Sequence, residues 1–452
     1  METTKNKPLA SPKEDTLVGN GMSKREARKI RMQSMNKSEI AYMRRKRVFD
    51  AVWPFFRFFI LFGLCFVILY PLIYMISCAF RDSADMSDPT VMWIPRHLTL
   101  NVIKETADAM VDTGLAAAGY NYVVIDDCWS LRERGADGRI VPDPEKFPSG
   151  MKALADYVHS KGLKFGMYSC DGPLTCAGYP GSYNNEFIDA QTFADWGVDF
   201  LKYDNCYKPE HDGYFLYNRM SMALKSTGRD ILFSACNWGA ENVHRWIRST
   251  GAHIFRSTGD INDSFGSVKN LVLSQTDNWP FSGPQCFNDI DMLITGMYGK
   301  GNVAVSGCTD EEYLTHFALW CYFASPLMIG CDIRNMSDAT LKTLTNKELI
   351  RINQDTEART PALIGNPGDD TYCFLKHLDN GTYSFAFINF GESYRAVCCD
   401  FFKFGITLDT GYAFDFEDVI DGQKWENITR EFNPGVPAHG CRIIRGTLHP
   451  KA

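Results

Sequence analysis

The sequence lacks the signatures of several common protein classes. No two cysteines have the CxxC spacing of a zinc site, and the 15 cysteines are too scattered for a small disulfide scaffold. No glycine-rich phosphate turn follows any strand-like run, which disfavours a dinucleotide-binding fold. The net charge is −7, with a net +7 in residues 1–50 and therefore −14 in the rest. Such an acidic body argues against nucleic-acid binding.

Long hydrophobic runs are also scarce, and only one is long enough to cross a bilayer. It covers residues 58–80, where 23 uncharged residues exceed the roughly 20 that a spanning helix needs. Four basic residues at 44–47 precede it, so the positive-inside rule predicts a basic cytoplasmic segment over residues 1–57. We therefore expect a single-pass membrane protein whose remaining chain is extracellular. A cleaved signal peptide and a buried core helix are the alternatives.

From residue 105 the chain alternates strand-like runs with helix-like stretches such as "MKALADYVHSKG" and "FIDAQTFADWG". This alternation is typical of a parallel sheet with helical crossovers. Seven strand-like runs approach the eight of a (β/α)₈ barrel, and an open doubly wound sheet is the alternative. The runs are 120–127, 163–170, 198–205, 230–238, 252–260, 286–293 and 326–333. We predict a TIM-barrel domain over residues 105–360.

Residues 361–452 have a different pattern. The segment "DTYCFLKHLDNGTYSFAFINFG" places a "DNG" turn between two alternating runs, which predicts a β-hairpin. No convincing amphipathic helix follows. We therefore predict a separate C-terminal antiparallel β-sandwich domain.

Aspartates follow nearly every strand of the predicted barrel. Because the carboxyl ends of barrel strands share one face, these acids are expected to converge where such enzymes place their active sites. Helix capping explains any single aspartate but not the recurrence. Trp129, Tyr168, Tyr203 and Trp238 lie near the same strand ends, and carboxylates beside aromatic rings suggest a sugar-binding site. The acids are Asp126, Asp127, Asp171, Asp204, Asp260, Asp289, Asp291 and Asp332.

Three long motifs carry a family resemblance. They are "YNYVVIDDCW", "GMYSCDGPLTCAGYPGSYNNEFIDAQTFADWGVDFLKYDNCY" and "ALWCYFASPLMIGCDIRNMS". They closely resemble glycoside hydrolase family 27, the α-galactosidases (melibiases) and α-N-acetylgalactosaminidases, from about residue 105 to the carboxyl terminus. The resemblance implies a retaining hydrolase that releases terminal α-linked D-galactose from oligosaccharides or glycoconjugates. It implies no cofactor and no metal.

The resemblance also implies individual roles. Asp204 matches the catalytic nucleophile and Asp260 the catalytic acid/base. Cys176 and Cys206 match a disulfide beside the site. The remaining matches, to substrate-binding positions, are Asp126, Asp127, Tyr168, Lys202 and Arg256; Asn237 and Trp238 are predicted to bind the substrate as well. A retaining glycosidase needs one ionised and one protonated carboxyl group about 5–5.5 Å apart. Lys202 and Arg256 are expected to hold Asp204 ionised by charge pairing.

Two departures from the family pattern affect the predicted function. Asn237 stands where the family's galactosidases usually carry glutamate, at the position that faces the sugar's 2-substituent. The family's first barrel strand, with its Met-Gly-Trp-Asn-type motif, has no match upstream of residue 105. Residues 45–104 instead resemble the amino end of a sugar ABC-transporter permease, so residues 81–104 are predicted to be a linker of permease-like sequence. The closest substitute strand is Val91–Ile94, with Trp93 near the expected tryptophan.

We expect this substitute to fill the gap incompletely and to leave a strained barrel with weak or no activity. Losing one strand opens two edges, near Tyr120 and near Pro326. The leading hypothesis is a membrane-tethered α-galactosidase. The alternatives are an α-N-acetylgalactosaminidase, an inactive sugar-binding protein, and a permease subunit, which the single hydrophobic run disfavours.

Overall fold

The computed structural model describes residues 23–34, short stretches between residues 37 and 53, and residues 102–451 apart from residue 277 and residues 407–409. Helix α1 (Lys24–Ser34) lies in the amino-terminal part. All the elements described below lie in residues 102–450. The hydrophobic run 58–80, residues 81–101 and the predicted strand Val91–Ile94 lie outside the described residues.

The predicted membrane localisation is wrong. Among the residues that the structure describes, no helix is long and apolar enough to span a bilayer. The longest described helix, Gly213–Ser226, has 14 residues. At about 1.5 Å per residue it rises about 21 Å, less than the roughly 30 Å of a hydrocarbon core.

Six parallel strands form the predicted barrel sheet. Their order in the sheet, β1-β2-β3-β4-β5-β6, is their order in the chain. A doubly wound sheet reverses its strand order part-way, so the sequential order excludes that alternative and is the order of a TIM barrel. The strands are β1 (Tyr122–Val124), β2 (Lys164–Cys170), β3 (Phe200–Asp204), β4 (Leu232–Cys236), β5 (Ile254–Arg256) and β6 (Phe287–Asp289). Six of the seven predicted runs are therefore confirmed.

Helices connect these strands and are delimited by local signals. Helix α5 ends at Gly197, whose φ of 83° is a left-handed conformation that glycine adopts without strain. Helix α9 begins with a capping box between Thr309 and Glu312. The helices are α2 (Val102–Asp112), α3 (Leu115–Ala118), α4 (Gly150–Ser160), α5 (Glu186–Trp196), α6 (Gly213–Ser226), α7 (Ile247–Thr250), α8 (Phe265–Ser274), α9 (Asp310–Tyr322), α10 (Asp338–Leu344) and α11 (Lys347–Asn353).

Among the described residues, the sheet is open on one side. In the part of the chain that the structure describes, the seventh predicted strand, in residues 326–333, forms one parallel bridge, between Leu293 and Ile329. Between this segment and β1, whose only ladder among the described residues is to β2, lies a cavity of about 2090 Å³. The cavity is lined by both segments and by Val102 of α2. The lining includes Tyr120 and Pro326, near which the sequence predicts open edges.

The carboxyl-terminal part is an antiparallel β-domain, as predicted. Its main sheet has the order β13-β12-β16-β9-β8-β7, and two short ladders, β10-β15 and β11-β14, accompany it. Buried phenylalanines, among them Phe385, Phe387, Phe414 and Phe416, form its core. The strands are β7 (Ala362–Gly368), β8 (Thr371–His377), β9 (Tyr383–Asn389), β10 (Arg395–Ala396), β11 (Cys399–Asp400), β12 (Tyr412–Asp418), β13 (Lys424–Ile428), β14 (Glu431–Phe432), β15 (Gly435–Val436) and β16 (Gly440–Pro450).

Candidate active site

The carboxyl ends of β1 and β3 bring together a lysine and two aspartates. Lys202, in β3, donates a hydrogen bond to Asp126 Oδ2 at 2.7 Å, and its Nζ lies 3.9 Å from Asp204 Oδ2. Asp204 ends β3 and is 6% exposed. Burial of the ammonium group acts to lower the pKa of Lys202, but the carboxylates of Asp126 and Asp204 outweigh it, so the net shift is upward. The charged ammonium group of Lys202 therefore attracts the carboxylate of the buried Asp204.

An aromatic ring and a disulfide lie against this cluster. Lys202 Nζ lies 5.1 Å from the centroid of the Tyr168 ring, which is buried. Cys176 and Cys206 form a disulfide with a Cα–Cα distance of 5.1 Å. Their sulfur atoms and a carboxylate oxygen of Asp204 all lie within 4.8 Å of one another. The loop after β2 is thus linked covalently to the loop that follows Asp204.

A second pair of residues lies at the end of β5. Arg256 ends this strand and is buried, whereas the side chain of Asp260, in the loop that follows, is 83% exposed. Arg256 Nη2 donates to Asp260 Oδ1 at 3.0 Å. An exposed carboxyl group beside the site can exchange protons with water, as a general acid/base must. No described contact links Arg256 to Asp204, so Lys202 is the cation that faces Asp204 directly.

The other predicted substrate-binding residues surround the same strand ends. Asp127 Oδ2 accepts a hydrogen bond from Ala177 N at 2.9 Å, in the segment next to the disulfide. Asn237 is fully buried after β4, and neither atom of its amide has a hydrogen-bond partner within the described protein. Trp238 is 40% exposed and has a φ of 60°. A half-exposed aromatic ring directly after β4 can stack on a sugar.

One of the aspartates noted in the sequence has another role. Asp332 accepts hydrogen bonds from the backbone N–H and the side chain of Arg334, at 3.1 and 2.8 Å, and caps a short helical turn. Arg334 in turn contacts Glu105 of α2 at 3.0 Å. Helix capping, which could not explain the whole set of aspartates, explains this one.

Two acids that received no role from the sequence belong to the site. Asp291 Oδ2 accepts a hydrogen bond from Arg256 Nη2 at 2.7 Å. Burial raises the pKa of Asp289, and Arg256 opposes that rise. The motif "CFNDIDML" places Asp289 at the end of the sixth strand and Asp291 two residues later. Their position was therefore visible in the sequence, but their shared partner Arg256 was not.

Asp171 is a third acid of this site, near Asp204. It is fully buried, and neither of its carboxylate oxygens has a hydrogen-bond partner in the described residues. Burial raises the pKa of Asp171 to about 8; the charge of Asp204 adds to the shift and that of Lys208 opposes it. Its backbone N–H donates to Asp204 O at 2.9 Å.

Comparison with known proteins agrees with this geometry. The melibiase family profile described as alpha galactosidase A matches residues 86–355 of the chain, more than half of its length. The chain belongs to the melibiase family. It is 40% identical to the alpha-galactosidase of Cyamopsis tetragonoloba over 76% of this chain and 81% of that protein. It is 48% identical to alpha-galactosidase 2 of Arabidopsis thaliana over 77% of this chain and 85% of that protein.

Solved structures of melibiases have the same fold. Alpha-galactosidase I from Mortierella vinacea superposes with a TM-score of 0.71 at 32% identity, over 77% of this chain and 92% of that one. The alpha-galactosidase from Saccharomyces cerevisiae, solved with raffinose, superposes with a TM-score of 0.70 at 29% identity, over 77% and 94% of the two chains. The barrel followed by a β-domain is therefore the family's architecture.

Proposed function

We propose that this melibiase releases terminal α-linked D-galactose with retention of configuration and that Asp204 is its nucleophile. The observation that carries this proposal is the placement of Asp204, buried at the end of β3 and facing the cation of Lys202. An ionised, oriented carboxylate can attack the anomeric carbon, so that a glycosyl-enzyme bond forms while the glycosidic C–O bond breaks.

Asp260 is the acid/base in this mechanism. It donates its proton to the departing glycosidic oxygen in the first step and then takes a proton from the water that attacks the glycosyl-enzyme. Its exposure supports this role, because the incoming water and the leaving alcohol both need access from solvent. The second step regenerates the Asp204 carboxylate and the protonated Asp260.

Binding of the galactose ring is assigned to residues around the nucleophile. Asp126 and Asp127 accept hydrogen bonds from sugar hydroxyl groups, and Trp238 offers its ring to the C–H face of the sugar. Lys202 and Tyr168 complete this set next to the disulfide. The substrates are α-galactosides of the oligosaccharide or glycoconjugate class, since the related Saccharomyces enzyme was solved with raffinose.

An α-N-acetylgalactosaminidase is the second candidate, and Asn237 is the observation that favours it. A neutral amide replaces the glutamate expected there by the family resemblance, and its polar atoms have no protein partner among the described residues. Paired assays with nitrophenyl α-galactoside and nitrophenyl α-N-acetylgalactosaminide decide between the two activities. A higher kcat/KM for the galactoside supports our proposal, and the reverse order replaces it.

The cavity beside β1 also bears on activity. It lies where a strand before α2 would close the barrel, and Val102, at the start of α2, is on its wall. We propose that the enzyme is active although, among the described residues, the barrel sheet is open beside β1. An inactive, sugar-binding barrel is the alternative.

The substitution Asp204→Asn tests the assignment. The amide keeps the size of the side chain but cannot form the glycosyl-enzyme, so turnover should fall by about 10³-fold or more. Binding of galactose, measured by calorimetry, should persist. Turnover close to that of the unmodified protein would exclude Asp204 as the nucleophile. Absence of hydrolysis by the unmodified protein, with galactose still bound, would support the inactive alternative.

A further inference from the structure

Asp291 follows β6, and both oxygens of its carboxylate accept hydrogen bonds. Its Oδ2 accepts hydrogen bonds from Arg256 Nη2 at 2.7 Å and from Ile261 N at 2.6 Å, and its Oδ1 accepts one from Met292 N at 2.7 Å. Its φ is 92°, in the left-handed region that a residue other than glycine occupies at a cost. The surrounding contacts therefore hold this carboxylate in a conformation that its backbone does not favour.

One nitrogen of Arg256 is shared between two carboxylates. Arg256 Nη2 donates to Asp291 Oδ2 at 2.7 Å, to Asp260 Oδ1 at 3.0 Å and to Gly259 O at 2.7 Å. The Asp291 side chain is 13% exposed, whereas that of Asp260 is 83% exposed. Coulomb attraction is stronger across the shorter, less solvated contact. Asp291 therefore neutralises most of the arginine's charge, and Asp260 remains the weaker partner.

Other charged or titratable groups face this pair. Asp289 Oδ1 accepts a hydrogen bond from Asp291 N at 2.9 Å, and Cys236 Sγ lies 3.9 Å from Arg256 Nη1. Burial raises the pKa of Asp291 to about 6, although Arg256 acts against that shift. Burial acts to lower the pKa of Arg256, but Asp291 and the other acids outweigh it and raise that pKa overall. The arginine thus stays charged, and Asp291 is the carboxylate on which its charge chiefly acts.

Asp291 also fixes the position of the loop that carries Asp260. The backbone N–H of Ile261, the next residue, donates to the same Oδ2 atom that receives Arg256. A single carboxylate therefore sets both the position of Asp260 and the charge beside it. Neither effect requires Asp291 to touch the substrate.

We propose that Asp291 is a positioning residue for the general acid. It forms an ion pair with Arg256 and anchors the loop that carries Asp260. Asp260 therefore keeps the proton that it transfers to the leaving group. This inference rests on the acid/base role proposed for Asp260. Without the negative charge of Asp291, Arg256 would pair with Asp260 instead and would favour its ionised form, which cannot protonate the glycosidic oxygen.

The substitution Asp291→Asn tests this inference, because it removes the charge but leaves an oxygen to accept from Ile261 N. The alkaline limb of the kcat/KM profile for raffinose should move to lower pH by about one unit or more. Turnover of raffinose should fall much more than turnover of nitrophenyl α-galactoside, whose leaving group needs little protonation. Asp263→Asn is the matched control, since Asp263 is a buried aspartate of the same loop that contacts Tyr313 and Gly299. The control should not shift the alkaline limb of the kcat/KM profile.

The double variant Arg256→Gln/Asp291→Asn keeps the test decisive if the single variant does not fold. Replacing both partners of a buried ion pair is better tolerated than leaving one charge unpaired. Its alkaline limb should return to the position of the unmodified enzyme or lie above it. The proposal is overturned if the alkaline limb lies at equally low pH in the single and the double variant. It is also overturned if turnover of raffinose and turnover of nitrophenyl α-galactoside fall equally and the alkaline limb does not shift. If Asp260→Asn hydrolyses raffinose normally, the acid/base assignment itself fails, independently of Asp291.

Discussion

The ammonium nitrogen of Lys202 lies 2.7 Å from a carboxylate oxygen of Asp126, although 76 residues separate the two in the sequence. The contact connects the carboxyl ends of β1 and β3 across β2. It joins a proposed sugar-binding acid to the lysine that faces the proposed nucleophile. Removing either member therefore affects both sugar binding and the charge at the nucleophile.

Lys202→Met should lower kcat/KM for nitrophenyl α-galactoside by about 10²-fold or more, because the buried Asp204 loses its nearest cation. Steady-state kinetics at pH 5–7 measures the effect. Lys152→Met is the control, since Lys152 pairs with Asp156 on the exposed face of α4. A variant at position 202 that is as active as this control would contradict the site geometry.

The Asp171→Asn variant should become more stable than the unmodified protein as pH rises. The pKa of this acid is about 8 in the folded protein, against 3.8 ordinarily. Its contribution to stability is therefore fully present below about pH 4 and is lost as pH rises through 8. The amide never ionises, so the melting temperature of the variant should equal that of the unmodified protein near pH 4. It should exceed that of the unmodified protein by several degrees at pH 8.

Asp189→Asn provides the contrast for this experiment. Asp189 is also buried, but both its oxygens accept hydrogen bonds from Arg134, each at 2.7 Å. Its loss leaves a guanidinium without its carboxylate, so the variant should be less stable at every pH. If the melting temperature of the Asp171→Asn variant does not rise relative to that of the unmodified protein between pH 4 and pH 8, Asp171 is already ionised in the folded protein.

Replacing Cys176 and Cys206 together by serine should reduce both stability and turnover. A disulfide that closes a loop of about 30 residues contributes about 3.6 kcal/mol in the loop-entropy model. The sulfur atoms also pack within 4.8 Å of a carboxylate oxygen of Asp204. Calorimetry and kinetics measure the two losses. Cys308→Ser, which alters a half-buried free thiol, should change neither.

Replacing residues 83–104 with a family-type first strand and loop should raise both the melting temperature and kcat. The reason is the cavity of about 2090 Å³ between β1 and residues 326–331, where an added strand would find hydrogen-bonding edges. A glycine- and serine-rich replacement of equal length is the control and should raise neither. If the unmodified chain already matches the grafted version, Trp93 takes the role of the family's pocket tryptophan.

Local patterns were sufficient to predict most of the elements. Apolar runs of the right length predicted β2, β3 and β4, and Gly197 marked the end of α5, because these signals depend on neighbouring residues only. The run at residues 326–333 shows the limit of such signals. Its hydrophobic pattern is that of a strand, yet a strand needs partners on its edges, and within the described residues it forms a single bridge, between Leu293 and Ile329.

The sequence by itself determined that aspartates follow the strands and, through its long motifs, which family the chain resembles. Only the tertiary structure decided what each acid contacts: Asp126 meets Lys202, Asp291 meets Arg256, and Asp332 caps a turn. A strand's hydrophobic period determines which face a side chain points to. The cation that it meets depends on how strands and loops distant in sequence are brought together. That arrangement is set by the packing of the whole barrel, and no local run of residues encodes it.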